Sequence, residues 1–286
     1  MTESTLCIDL GATNLRVGVI GPDLKIRSVS REKSLHNDKK ALRDQIVRMV
    51  RNEIGKSGPI GKIGVSACGI VEDGTIVRAA NLGISDFPLK TILSETFRLP
   101  VFLMNDAAAT ALSEALFGAG KDLNVLYFAT ISSGIGGALV VGKNAVDLPF
   151  ELGQHLFFHR GALYRYEELL SGNGLIRLAA MHGLEAENAA SFFALVEKKE
   201  AKAIDVLDVY TSLLAEMFYN IQTDYATDGV ILSGGVLKSA PLFIDELKRK
   251  TDALTEKYAL KNVLFRFAQF DQDAGLFGGY ASANRL

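Results

Sequence analysis

Residues 6–20, LCIDLGATNLRVGVI, constrain the fold more than any other stretch. Leu6, Ile8 and Leu10 alternate with Cys7 and Asp9, and after a short Gly-Ala-Thr-Asn turn the alternation resumes at Leu15, Val17 and Val19. A period of two on both sides of a polar turn predicts a β-hairpin. The turn brings Gly11, where the backbone can approach a ligand closely, beside the Thr13 hydroxyl and the Asn14 side chain. Asp9 adds a carboxylate at the strand end. These are the parts of a phosphate and magnesium cradle. The bland alternative is a hairpin with a polar turn and no ligand.

At 286 residues the chain exceeds a typical single domain, so two lobes with a sizeable core are expected. Its formal charge of -2 argues against general binding to nucleic acid or an anionic membrane, since both need an excess of Lys and Arg facing phosphate. A small-molecule ligand remains open. Cys7 and Cys68 lie in apolar, strand-like surroundings without metal-type spacing, so both read as core thiols in a reducing compartment. No apolar run with a basic flank precedes the first strand, and no stretch reaches membrane-spanning length. A cytoplasmic location is expected.

Further along, residues 26–31 suggest a third strand. Residues 38–54 place Ala41, Leu42, Ile46, Val47, Val50 and Ile54 at helical spacing, with Lys and Arg on the solvated side. Residues 60–68 read as a strand ending at Gly69, followed by a hairpin through Glu72-Asp73-Gly74, a loop at Asn81-Leu82-Gly83 and a helix over 89–97. Residues 99–104 read as a buried strand that stops at Asn105-Asp106, and 107–117 as an alanine-rich helix stopped by Gly118-Ala119-Gly120. A second strand–turn–strand follows: 125–129, a turn over 130–137, then 138–141. It repeats the plan of the first and implies an internal duplication, two related lobes across a cleft. Helices are expected over 175–182, 189–198, 203–225, 242–258 and 274–284, with strands at 230–232 and 263–267. Strands alternating with helices make an α/β protein.

DLGATNLR resembles the first phosphate motif, Asp-x-Gly-x-Thr-x-x-Arg, of the sugar kinase, hsp70 and actin superfamily, and in particular of the ROK family of sugar kinases. The resemblance implies a two-lobed actin-like ATPase fold of ribonuclease H type, with a duplicated βββαβαβα core and an interlobe cleft. The small N-terminal lobe would comprise 1–117 with 273–286, and the larger C-terminal lobe 118–272.

Asn105-Asp106 ends a strand and starts a helix, which holds a carboxylate rigidly and suits a general base that takes a proton from a substrate hydroxyl. Asn and Asp are also good helix caps, and the two readings are compatible. NDAAATALSEALFGAG is similar to the ROK sugar-site signature, which makes Asp106 the catalytic base and Asn105 a sugar contact. TISSGIGG resembles the second phosphate motif, with Ser132 and Ser133 where Gly and Thr are common. The resemblance assigns Asp9, Gly11, Thr13, Asn14, Thr130, Ser133, Gly134 and Gly136 to phosphate and magnesium, with Asp9 reaching Mg2+ partly through water.

Phe150-Glu151-Leu152-Gly153 looks like the Glu-x-Gly-His element, with Gln154 at the histidine position and His155 one place later. In most of the family that His joins three Cys in a structural zinc site. None of the three is present, so no zinc is expected, and His155 and His159 read as ordinary polar residues. Glu151 would bind sugar hydroxyls and Gln154 could donate to a sugar oxygen. Glu167, ahead of Ser171-Gly172, is a further sugar contact by the family register, although a glutamate at a helix start is also favourable on its own account. Gly69 and Asn81 match loops that close over the sugar. Ser233-Gly234-Gly235 is similar to the adenosine motif, with Gly234 and Gly235 against the nucleotide.

The resemblance implies an ATP- and Mg2+-dependent kinase that phosphorylates a hydroxyl, the 6-OH, of a hexose or N-acetylhexosamine such as glucose or N-acetylmannosamine. Its partner is a small-molecule sugar, with no nucleic acid and no membrane, and a homodimer is common in the family. Two other classes fit parts of the sequence. A sugar-sensing ROK regulator would carry a DNA-binding helix-turn-helix, which the start of this sequence does not suggest. An hsp70- or actin-type ATPase would not need Asn105-Asp106, Glu151 and Glu167 together.

Overall fold

Antiparallel pairing of β1 (Ser4–Leu10) with β2 (Asn14–Ile20) forms the expected opening hairpin, with Asp9 opposite Arg16 and Leu10 opposite Leu15. The structure, a computed structural model, describes residues 3–146 and 151–285. Contacts group the chain into two units: Met1–Gly118 with Lys143–Asp147 and Gln269–Leu286, and Ala119–Gly142 with Leu148–Ala268.

In the first unit the hairpin is extended by β3 (Ile26–Lys33) on one side and by β4 (Ile60–Ala67) and β8 (Val101–Asn105) on the other, in the order β3-β2-β1-β4-β8. The β1–β4 and β4–β8 pairings are parallel. Each parallel step needs a crossover. The first is α1 (Lys39–Lys56), capped by the Asp38 carboxylate, which accepts from the Lys40 and Ala41 amides at 2.9 Å. The second runs through a small sheet of β5 (Ile70–Glu72), β6 (Thr75–Ala79) and β7 (Ile84–Phe87) and then α2 (Leu89–Phe97). After α3 (Asp106–Leu116), the chain returns to this unit with β11 (Asn144–Ala145) and α9 (Ala274–Ala283).

β1, antiparallel to β2 and parallel to β4, is buried on both faces. Leu6, Ile8 and Leu10 pack with Leu42, Ile46, Met49 and Val50 of α1. Cys7, on the opposite face, packs with Leu276, Phe277 and Tyr280 of α9. Full burial of each large aliphatic side chain contributes about 2 kcal/mol. The 274–284 segment is rich in small residues for a steric reason: a methyl group on Gly64 of β4 would collide with the Gly279 carbonyl of α9, and one on Gly278 would stand 3.0 Å from the Ala109 methyl of α3.

In the second unit, β9 (Val125–Ile131) and β10 (Ile135–Val141) form an antiparallel hairpin, β14 (Gly229–Ser233) lies parallel to β9, and β15 (Phe265–Phe267) lies parallel to β14. The order β10-β9-β14-β15 repeats β2-β1-β4-β8, strand for strand and direction for direction. The hairpin of β12 (Leu156–His159) and β13 (Ala162–Arg165) leads into α4 (Tyr166–Leu170) and α5 (Gly172–Met181). α6 (Ala189–Glu197), α7 (Ala201–Tyr225) and α8 (Ile244–Lys257) complete this unit.

Three sequence expectations are corrected. The strand read as buried over 99–104 is the edge strand β8, with Leu103 and Met104 half-buried and Phe102 exposed, because only β4 pairs with it. The turn read over 130–137 shortens to Ser132-Ser133-Gly134, since pairing of Ile131 with Ile135 and Thr130 with Gly136 carries both strands to the turn. The helix read from 242 starts at Ile244, after a 3₁₀ run over Gly235–Leu242 that contains Pro241.

Gly64→Ala is expected to lower stability by about 2–3 kcal/mol, since backbone must move to admit the methyl group. Gly55→Ala in α1, where nothing lies within 4 Å of the added carbon, should be neutral or stabilising by up to about 1 kcal/mol. Urea denaturation of the two variants reads both values.

Candidate functional site

Asp9 follows Cys7 on the face of β1 that α9 covers, and its carboxylate abuts Gly275 in the first turn of that helix. A side chain at Gly275 would overlap it. Burial pushes the Asp9 carboxyl up to about 6; Arg16 pulls it down, the Asp106 charge pushes it up, and Arg31 pulls it down. Arg16 sits directly across the hairpin from Asp9, yet its guanidinium donates to the Gln272 carbonyl and the Asp273 carboxylate. Asp9 therefore keeps much of its desolvation penalty.

The adjoining turn is braced from below. The Gly11 amide donates to the Asn14 carbonyl at 3.0 Å. Ser34, buried at the end of β3, donates its hydroxyl to the Gly11 carbonyl at 2.7 Å and its amide to the Thr13 carbonyl at 3.1 Å. Asn14 accepts from Arg31 at 3.1 Å. Asp9, Gly11, Thr13, Asn14, Arg16, Ser30 and Arg31 line a depression of about 720 Å³ in this unit.

β8 delivers Asn105 and Asp106 to the same end of the sheet. Asn105 is the N-cap of α3, accepting from the Ala107 and Ala108 amides at 3.0 and 3.2 Å, and the Ala107 amide also reaches Asp106 Oδ1 at 2.9 Å. The Asn105 side-chain amide donates to the Gly69 carbonyl at 2.9 Å and to Asp106 Oδ1 at 3.1 Å. Gly69 has φ of 101°, and a side chain there would strike the Arg78 carbonyl, so glycine is required. Gly69, Asn105 and Asp106 thus form one bonded group, while Asn81 lies exposed in the turn after β6. Cys68 is half-buried beside them; burial, then the Asp106 charge, raises its thiol to about 12. It packs against the core of this unit, as expected of a core thiol, but is only partly buried, with the Asp106 charge nearby.

In the second unit the Ser132–Gly134 turn is held by a 2.6 Å bond from the Gly172 amide to the Ser132 carbonyl. Gly172 has no room for a side chain against that carbonyl. Thr130 and Gly136 face each other across β9 and β10, and Ser133 is exposed at the tip. Gly234, with φ of 108°, lies against the backbone of Ile131, whereas Gly235 faces open space. Glu151, exposed, precedes a single 3₁₀ turn over Leu152–Gln154; Phe150 of that motif lies outside the described residues.

The two neighbouring glutamates of α4 differ. Glu168 accepts from the Arg165 amide at 2.8 Å and from Arg177 at 2.9 Å, so it caps its own helix. Glu167 Oε1 accepts from the Gln154 side chain at 2.8 Å, and Gln154 in turn accepts from Arg165 at 2.9 Å. The other oxygen of Glu167 lies 3.6 Å from where a side chain on Gly134 would start. Ser133, Arg165, Glu167, Ser171 and Arg177 line a depression of about 370 Å³. His155 stacks on Tyr166 at 6.0 Å, and burial, then Arg160, lowers the pKa of His159. Sequence reasoning missed Ser34, Gly275 and Arg165. The first two have no local signal, and Arg165 is marked only by standing two residues before Glu167.

Among the described residues, no group of three or more His, Cys, Asp and Glu is arranged to hold a metal ion, and no helix is long and apolar enough to cross a membrane. A crystal structure of a ROK family glucokinase from Streptomyces griseus with glucose and AMPPNP matches over 98% of both chains, with a TM-score of 0.76 at 21% identity. A ROK family transcriptional regulator matches over 99% of this chain and 78% of its own, with a TM-score of 0.84 at 16% identity. These likenesses establish the two-lobed actin-like ATPase fold, which kinase and regulator share. In sequence, a glucokinase of Halalkalibacterium halodurans is 28% identical over 261 residues, 81% of this chain and 78% of that protein. An N-acetylmannosamine kinase of Escherichia coli is 28% identical over 293 residues, 96% of each. The ROK family model matches residues 5–155 and 160–285, a span that takes in both strand–turn–strand motifs and nearly every residue placed above: the chain belongs to the ROK family.

Proposed function

We propose that this protein is an ATP-dependent sugar kinase that transfers the γ-phosphoryl group to a hydroxyl, the 6-OH, of a hexose or N-acetylhexosamine such as glucose or N-acetylmannosamine. The observation that carries the reading is the bonded group at the end of β8. Asn105 takes over the capping of α3 and ties down the Gly69 loop, so Asp106 is held at a strand–helix junction by neighbours that are themselves held. That rigidity suits a base that must meet one hydroxyl proton in one geometry.

On this reading Asp106 accepts the proton of the attacking hydroxyl, while Asn105, Gly69, Asn81, Glu151, Gln154 and Glu167 bind and orient the sugar. Thr13, Asn14, Thr130, Ser133 and the backbone at Gly11, Gly134 and Gly136 receive the phosphates, and Gly234 and Gly235 lie against the adenosine. Most of the rate enhancement then comes from positioning and electrostatics. Asp9 fits Mg2+: it is an oxygen donor whose charge is raised in energy by burial first and, against the pull of Arg16, by Asp106, and magnesium commonly takes one or two carboxylates and completes its shell with water and phosphate oxygens. The ion would supply charge neutralisation at the phosphates.

The proposed division of the chain is a small lobe of 1–117 with 273–286 and a larger lobe of 118–272. The two free thiols fit a reducing, cytoplasmic setting. A homodimer is supported by the exposed apolar residues Leu156, Phe158 and Leu163, gathered on the β12–β13 hairpin. The regulator reading keeps one argument, the shared fold, and the kinase assay separates the two.

With Mg-ATP and a panel of hexoses and N-acetylhexosamines, ADP release should rise with at least one sugar. Asp106→Asn should bind that sugar with similar affinity and turn it over at least about 10²-fold more slowly. Near-normal turnover would refute the base assignment, and sugar binding without any ADP release in the unaltered protein would favour a sensor.

Asp9 yields a second expectation, with its sign set by linkage. Its folded pKa of about 6 lies above the unfolded value near 3.9, so stability falls as pH rises through that window and stays low above it. Asp9→Asn should therefore raise the stability of the ligand-free protein at pH 7.5 by about 2 kcal/mol, give no gain at pH 4, and abolish Mg-ATP-dependent turnover. Denaturation at the two pH values, beside the ADP assay, checks all three parts.

A further inference from the structure

Glu167 would be a poor sugar ligand if its carboxylate were free to swing, and the chain holds it through two other side chains. Gln154 Nε2 donates to Glu167 Oε1 at 2.8 Å, and Gln154 Oε1 accepts from Arg165 Nη1 at 2.9 Å. A primary amide has a donor end and an acceptor end. With the guanidinium on its oxygen, the amide can present only its NH2 to the glutamate, and a cation on the oxygen strengthens the bond on the far side.

Arg165 is itself anchored. It closes the β12–β13 ladder opposite Leu156, and its amide donates to Glu168 at 2.8 Å. The next residue, Tyr166, is 4% exposed, stacks on His155, and accepts from Asn220 of α7 at 2.8 Å. The series Arg165, Gln154, Glu167 therefore runs from a fixed hairpin end to one oxygen of the carboxylate. The other oxygen is left beside Gly134 and Gly153.

We infer that Arg165 is a positioning residue for the sugar: acting through Gln154 and by its own ion pair with Glu167 Oε1 at 3.4 Å, it orients the Glu167 carboxylate so that its second oxygen accepts from a sugar hydroxyl. The inference rests on the reading of Glu167 as a sugar contact. Arg165 touches neither sugar nor nucleotide in this scheme. Its side chain is 45% exposed, so solvent screening keeps the effect moderate.

The test is steady-state kinetics with the preferred sugar for the unaltered protein, Arg165→Met, Arg165→Lys, Gln154→Ala, the Arg165→Met/Gln154→Ala double variant and Glu167→Gln, with melting temperatures alongside. Arg165→Met should raise the sugar KM about five- to tenfold with the ATP KM unchanged, and Arg165→Lys should recover part of the loss. The double variant should raise the sugar KM by clearly less than the product of the two single effects, because part of the arginine's influence passes through the amide and part through its ion pair with Glu167. A sugar KM unmoved by Arg165→Met, multiplied single effects in the double variant, or a joint rise of both KM values with a lower melting temperature would each overturn the inference. An unchanged sugar KM in Glu167→Gln would overturn the sugar assignment of Glu167 itself, and this inference with it, whatever Arg165 does.

Discussion

The backbone contact between Gly64 of β4 and Gly279 of α9 is the constraint on which the first unit depends. It lets a helix rest on the sheet at backbone distance, which buries the Cys7 face of β1 and brings Gly275 under Asp9. The carboxylate is desolvated, and Arg16, which could neutralise it, is engaged by Gln272 and Asp273 immediately before the same helix. The helix that closes the core thus also sets the charge state of the strand end.

Much of this was legible in the sequence because it is periodic. Alternation marked β1 and β2, the repeat of their strand–turn–strand plan marked β9, the 3.6-residue spacing marked α1, and small residues marked α9. The junction at Asn105-Asp106 was legible for a different reason: a polar pair that ends an apolar run must either cap or act, and Asn105 does the first. The β12–β13 hairpin was not legible. Its outward face carries Leu156, Phe158 and Leu163 while its inward face carries Phe157, Tyr164 and the packed Tyr166, so no apolar–polar alternation exists to be read. β7, four residues long, is too short to show a period. The part played by Gln154 was out of reach for a third reason, since both of its partners lie more than ten residues away and meet it only after the hairpin has folded.

The repeat of sheet order in the two units does not extend to their electrostatics. In the first, burial raises the Asp9 carboxyl to about 6, with Arg16 opposing the shift and the Asp106 charge adding to it. In the second, Glu167 and Glu168 are compensated by Arg165 and Arg177 within 3.4 Å. A desolvated carboxylate favours a cation or a proton, and ion-paired ones favour neutral hydroxyl donors, whose binding adds no charge. One sheet plan, used twice, therefore supports two chemistries because the charged side chains around each turn differ while the strands beneath them do not. In the proposed kinase this is the division of labour that transfer of a phosphoryl group to a neutral sugar demands: acids in one unit for the ion and the proton, and a braced glutamate in the other for the acceptor.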